Sequence, residues 1–139
     1  MVNRDVVVAK IAHIRESLNR LEEKQEISAN HFLKDKDTQD IVLFNLQIAI
    51  QGCVDIASHI IADNDWGVVE NLGGLFDTLA RKKVISIKTK KTMRKMVGFR
   101  NLIVHEYASL NMSLVYTLLK ENLNDFNLFL REISRYARL

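Results

Sequence analysis

The eight residues Arg100-Asn101-Leu102-Ile103-Val104-His105-Glu106-Tyr107 gather side chains suited to chemistry on an anionic group. An imidazole titrates near ~6.5, so His105 is able to take up or release a proton around neutral pH. The planar guanidinium of Arg100 stays charged and matches two phosphate oxygens. On an ideal helix five residues turn through about 500°, which leaves Arg100 and His105 about 140° apart. Asn101 and His105 fall about 40° apart, and Arg100 and Tyr107 nearly eclipse. Arg100 and His105 reach one phosphate only if the helix ends or deforms near Val104, or if two copies of the chain face each other. The β-branched pair Ile103-Val104 suits a fraying end. The plain alternative is an interhelical hydrogen-bonding pair with no catalytic use, and for Tyr107 a packed core position.

The segment directly before these residues is basic. Residues 81–100 hold nine Lys and Arg side chains and no Asp or Glu, in a chain whose formal net charge is +3, so the remainder carries −6. A positive stripe on an acidic body suits a polyanion, because phosphates are attracted and counterions released. Lys91, Arg94 and Lys95 stand at three- and four-residue spacings, along one helix face. A solvated face rich in lysine is the bland reading of the same pattern.

Other constellations are missing. His13, His31, His59 and His105 lie far apart, with no paired spacing that suggests a metal site. Gly73-Gly74 has no phosphate-loop lysine pattern around it. Cys53 is the single cysteine, which excludes an internal disulfide, and it falls on an apolar stripe as buried filler. Neither a metal nor a cofactor is called for.

Helices must position the motif. The 139 residues include no proline and five glycines, with 47% hydrophobic and 27% charged, the balance of a soluble single domain over 1–139. Val7, Ile11, Ile14, Leu18 and Leu21 mark a first helix, capped by Asn3 and ending near Glu22–Lys24, with a loop to about Asp37. A second helix starts after Asp37 as its cap. It is apolar around much of its circumference, including Ile41, Phe44, Ile48 and Ile50, so it lies at the centre of a bundle or a second chain covers it. Asp63–Gly67 breaks it, and Asn71–Gly74 is irregular. Leu75, Phe76, Leu79 and Ala80 form a short third helix, and Ser86 caps a fourth that carries the motif. After Asn111-Met112-Ser113 one final helix repeats apolar residues from Val115 to Tyr136. Only Val84–Ile87 alternates like a strand, and briefly. The expectation is an all-α, antiparallel up-and-down bundle of four to five helices. Gly98 costs about 1 kcal/mol relative to Ala in a helix, and lets another helix or chain approach beside Arg100.

Arg, Asn, three further residues, His and a Tyr two beyond it, in a small all-helical chain, resemble the HEPN family. The Arg-x4-His-x-Tyr form is similar to the HepT toxins of toxin–antitoxin pairs. The resemblance implies a homodimer whose two motifs meet in a cleft, and a metal-independent endoribonuclease. It also implies a partner, a minimal nucleotidyltransferase antitoxin that attaches AMP to the motif tyrosine, here Tyr107. In that setting His105 does general acid/base work as the 2′-oxygen of RNA attacks the adjacent phosphorus. Arg100 stabilises the charge that develops. Asn101 orients His105 or holds a phosphate oxygen, and Lys91, Arg94 and Lys95 guide the RNA backbone. AMP on Tyr107 blocks RNA by charge and volume. The rival reading is a non-catalytic nucleotide- or partner-binding subunit of a nucleotidyltransferase complex. The amino terminus lacks a signal-peptide layout, and no uninterrupted apolar run reaches ~20 residues, so a cytoplasmic chain acting on RNA, not on DNA or a membrane, is expected.

Overall fold

The computed structural model describes residues 3–139, which fold into seven α-helices and one 3₁₀ turn with no strand among the described residues. The helices are α1 (Arg4–Glu23), α2 (Ala29–Lys34), α3 (Lys36–Asp63), α4 (Leu72–Arg81), α5 (Ile87–His105), α6 (Met112–Glu121) and α7 (Leu123–Ala137), with the 3₁₀ turn at Tyr107–Ser109. α3 is the axle, packed against α1, α2, α4, α5 and α6. By length and composition it could cross a membrane, yet Val42, Leu46, Ala49, Cys53, Ile56 and Ile60 are wholly enclosed by the rest of the chain. The apolar circumference expected of this helix is therefore mostly core, Ile50 included, while Ile41 and Phe44 stay exposed.

The all-helical expectation holds, and the helix count is higher for local reasons. The loop expected before α3 contains α2. Ser28 caps it by accepting from His31 N at 3.1 Å, and Phe32 drops into the core beside Tyr116, ring centroids 5.5 Å apart. Asp35, not Asp37, caps α3, with Oδ1 accepting from Thr38 N at 3.2 Å and Oδ2 from the Thr38 hydroxyl at 2.8 Å. Asn71, expected within an irregular stretch, caps α4 by accepting from Gly74 N at 2.8 Å. Val84–Ile87 is no strand. Lys83 has a φ of 62°, and Val84 N donates to Leu79 O at 2.8 Å, the closing bond of a left-handed helix stop. The long final helix breaks at Asn122, where α6 ends and the Asn122 amide donates to Asp125 at 3.1 Å. The apolar period runs through the break because it records which side faces the core, not whether the backbone is continuous.

Two features hold the motif helix α5 in place. At its start Ser86 is the cap, as expected, accepting from Thr89 N at 3.1 Å. The nearly buried Glu132 of α7 accepts from Ser86 N at 3.0 Å, from its hydroxyl at 3.1 Å and from Thr89 Oγ1 at 3.3 Å. Met93, Met96, Val97, Phe99 and Ile103 then seal one side of α5 into the core.

Candidate active site

α5 stops at His105. Glu106 leaves helical geometry with φ −135° and ψ 35°, its N–H still donating to Leu102 O at 2.8 Å, and the chain turns into Tyr107–Ser109. The end foreseen near Val104 thus falls just after His105. The two motif residues remain on regular helix, and the ideal separation of about 140° still applies within one chain. The His105 imidazole is exposed and makes no hydrogen bond among the described residues.

Arg100 points instead toward α3. Its Nη2 donates to Gln51 Oε1 at 3.1 Å and its Nη1 to Asn101 Oδ1 at 3.2 Å, while Nε is enclosed with no acceptor. The Gln51 amide is oriented from behind, its Nε2 donating to Asp55 Oδ1 at 2.9 Å. Of the two roles expected for Asn101, orienting His105 does not occur here: its side-chain oxygen holds Arg100 instead.

Tyr107 departs furthest from expectation. It lies beyond the helix end, so it does not eclipse Arg100, and at 43% exposure it is no core tyrosine. The ring reaches across to the start of α3. Its hydroxyl donates to Asp40 Oδ1 and accepts from Lys36 Nζ at 3.2 Å. The ammonium also lies 4.9 Å from the ring centroid and 3.1 Å from Asp40. The hydrogen bond from Tyr107, and then that from Lys36, holds the Asp40 carboxyl below the usual carboxylate range. Asp40 and then Tyr107 hold the Lys36 ammonium above its ordinary value. An open hollow of about 580 Å³ is lined by Asp40 and Phe44, and a second of about 530 Å³ shares those two residues and is lined also by Gln47, Val104 and Tyr107.

The basic face is partly spoken for. Lys91 and Lys95 are exposed, but Arg94 Nη1 is 2.6 Å from Asp77 Oδ2 of α4. Its guanidinium rests over Gly73, where a Cβ would meet Nη1 at 3.1 Å. Lys95 instead borders a groove of about 790 Å³ between α5, α6 and α7, lined also by Gly98, Leu102, Leu114 and Leu118. Among the described residues nothing lies within 4 Å of a Cβ placed on Gly98. Away from these features Cys53 is fully buried, which pushes its thiol up and leaves it inert, as filler should be.

Sequence reading missed Asp40, Lys36 and Gln51. No spacing rule joins residues 67 apart, so only the packing of α5 beside α3 reveals the contact.

The chain belongs to the HepT-like ribonuclease family, whose model, described as Ribonuclease HepT-like, matches residues 14–133, and it is an endoribonuclease on that footing. It is 32% identical over 130 residues to the mRNA nuclease HepT of Shewanella oneidensis, covering 94% of this chain and 97% of that one. It is 24% identical over 131 residues to the tRNA nuclease HepT of Aphanizomenon flos-aquae, covering 94% and 89%. The solved tri-AMPylated Shewanella oneidensis HEPN toxin, in complex with its MNT antitoxin, superposes with a TM-score of 0.88 at 32% identity, covering 94% of this chain and 98% of that one.

Proposed function

We propose that this chain is the toxin of a type II toxin–antitoxin pair, a single helical domain over 1–139 working in the cytoplasm. It cleaves RNA without a metal, in a cleft where two copies meet. The observation that carries the reading is the placement of an exposed imidazole, His105, at the end of the helix that also holds Arg100. Since one chain keeps these two about 140° apart, a symmetric pair is the arrangement that lets both act on one phosphate.

In that cleft His105 exchanges the proton of the 2′-hydroxyl or of the leaving 5′-oxygen, and the second copy's imidazole serves the other. Arg100 supplies charge to the phosphorane-like transition state. Its Nε, which has no acceptor in the resting pose against Gln51, is a donor that an arriving phosphate oxygen satisfies. Asn101 holds Arg100 or a phosphate oxygen. Lys91 and Lys95 guide the backbone, with Arg94 contributing once Asp77 releases it. Gly98 and the exposed Leu102 and Leu114 support close approach of the second copy along α5.

The tri-AMPylated state of the solved relative supports Tyr107 as the residue to which a minimal nucleotidyltransferase antitoxin attaches AMP. The exposed hydroxyl is open to such a partner, and the added phosphate lies two residues from His105, where it repels RNA.

Growth on induced expression tests the assignment. The parent arrests growth, His105→Ala and Arg100→Ala do not, and co-expression of the nucleotidyltransferase lifts the arrest. Equal toxicity of the parent and both variants contradicts it. The rival reading, a binding subunit, predicts tight nucleotide binding with RNA left intact.

A further inference from the structure

We propose that Lys36 and Asp40, one turn apart on α3, are this chain's own device for making Tyr107 a nucleophile towards the α-phosphate of a nucleoside triphosphate. The inference rests on the reading of Tyr107 as the AMP acceptor and adds the groups that activate it.

A phenol with an ordinary pKa near ~10 is almost wholly protonated at neutral pH and is a weak nucleophile until a base takes its proton. Tyr107 Oη already donates that proton to Asp40 Oδ1. The same oxygen accepts from Lys36 Nζ at 3.2 Å, which places a positive charge where phenolate charge develops. The ammonium 4.9 Å from the ring centroid also fixes the ring. Base, nucleophile and counter-charge therefore share one surface spot before any partner arrives. The trio is open to solvent, with Lys36 62% and Asp40 48% exposed. Exposed ion pairs contribute little to folding, so stability is a poor reason for the arrangement. The other titratable groups near the trio are His105 and Glu106, just before Tyr107 in the chain, and Arg20, Glu23 and Lys24, which line the hollow that Asp40 also borders.

The phenolic proton passes to Asp40 as Tyr107 Oη forms a bond to the α-phosphorus. The bond from that phosphorus to the oxygen bridging to the β-phosphate breaks, and pyrophosphate leaves with the electron pair. The triphosphate comes with the nucleotidyltransferase partner. The hollow beside Tyr107, with Phe44 63% exposed on its wall, offers the attached nucleoside an aromatic face to stack on.

The test uses the full chain with its nucleotidyltransferase partner and ATP, following AMP gained per chain by intact mass from about pH 6 to 10. Asp40→Asn is expected to slow transfer roughly 10²-fold near neutrality. Its residual rate should then climb with pH, about tenfold per unit, as the phenol ionises by itself. Asp40→Glu recovers part of the rate. Lys36→Met slows transfer about tenfold, one lost charge-assisted hydrogen bond, and Lys36→Arg restores it. Thermal unfolding of each variant shows that the fold stands. Parent-like rates for Asp40→Asn and Lys36→Met across the range overturn the inference while leaving Tyr107 as acceptor. If the parent gains no AMP, or Tyr107→Phe gains as much, the acceptor reading itself has failed, and this inference with it.

Discussion

Arg100 Nη2 donates to Gln51 Oε1 at 3.1 Å, so the guanidinium expected to meet phosphate rests against the central helix of its own chain. Because Asp55 orients the Gln51 amide, the hold is built and not incidental. Gln51→Ala should release the guanidinium, costing about 1 kcal/mol of stability and leaving RNA cleavage within a few-fold of the parent. Arg100→Ala should lower cleavage about 10²–10³-fold, and Arg100→Lys should recover little because the fork is lost. Single-turnover rates beside thermal unfolding separate the two effects. Cleavage by Arg100→Ala at the parent's rate would remove Arg100 from the chemistry.

Arg94 is engaged by Asp77 at 2.6 Å, whereas Lys91 and Lys95 are exposed. Lys91→Gln and Lys95→Gln should each weaken single-stranded RNA binding and flatten the dependence of log affinity on log salt by about 0.7. Arg94→Gln should do less, and Asp77→Asn should strengthen binding by freeing the guanidinium. Titrations at several salt concentrations decide this. Unchanged slopes for Lys91→Gln and Lys95→Gln would return the basic run to a solvated face.

Gly52 lies where α1 crosses α3. A Cβ there would stand 2.4 Å from Ile14 Cγ1 and 2.9 Å from its Cδ1, with Ile14 itself wholly buried. Gly52→Ala should therefore destabilise the chain by about 1–3 kcal/mol despite the better helix propensity of Ala. The penalty should shrink in an Ile14→Val background, because the two sites share one space. Denaturant unfolding of the single and double variants measures both, and an unchanged midpoint for Gly52→Ala would refute the close crossing.

The Asp40 carboxyl sits below the usual carboxylate range because the Tyr107 hydroxyl, and then Lys36, bond its charged form. A folded value below the unfolded ~3.9 means that the contact stabilises the fold above that unfolded value, and that this contribution fades as pH falls through the folded one. Lys36 runs the opposite way. Its raised value gives a contribution present below ~10.4 and lost as pH rises through the folded value. Carbon-13 NMR titration should place Asp40 below its unfolded midpoint, and Tyr107→Phe should move it back up. A midpoint at or above the unfolded value would show the hydroxyl pointing elsewhere.

What the sequence made legible follows from which forces are local. The caps Asn3 and Ser86, the Asp63 break and the buried stripe of α3 are set by neighbours a few residues away, and they stand as expected. α5 runs on through Val104 and stops after His105, so the β-branched pair Ile103-Val104 did not mark the end. α2 was not legible: six residues carry too little periodicity, and one buried ring, Phe32, fixes the segment. The break at Asn122 was masked by an apolar repeat that the core imposes on both sides of it. At the site, residue types pointed to Arg100, His105 and Tyr107. Their partners Gln51, Asp40 and Lys36 come from a helix packed alongside, and Asp77, which occupies Arg94, from another, which spacing along the chain cannot report.

The proposed centre joins the Arg100–His105 pairs of two copies and cleaves RNA with no metal. Its most direct measurement is the cleavage rate per chain, in excess chelator, as protein concentration passes through the dissociation range of the pair. The rate should rise with pairing to a plateau, the products should end in a 2′,3′-cyclic phosphate, and His105→Ala should lose about 10²–10⁴-fold without loss of pairing. Intact RNA at every concentration, or a rate per chain indifferent to pairing, would contradict it.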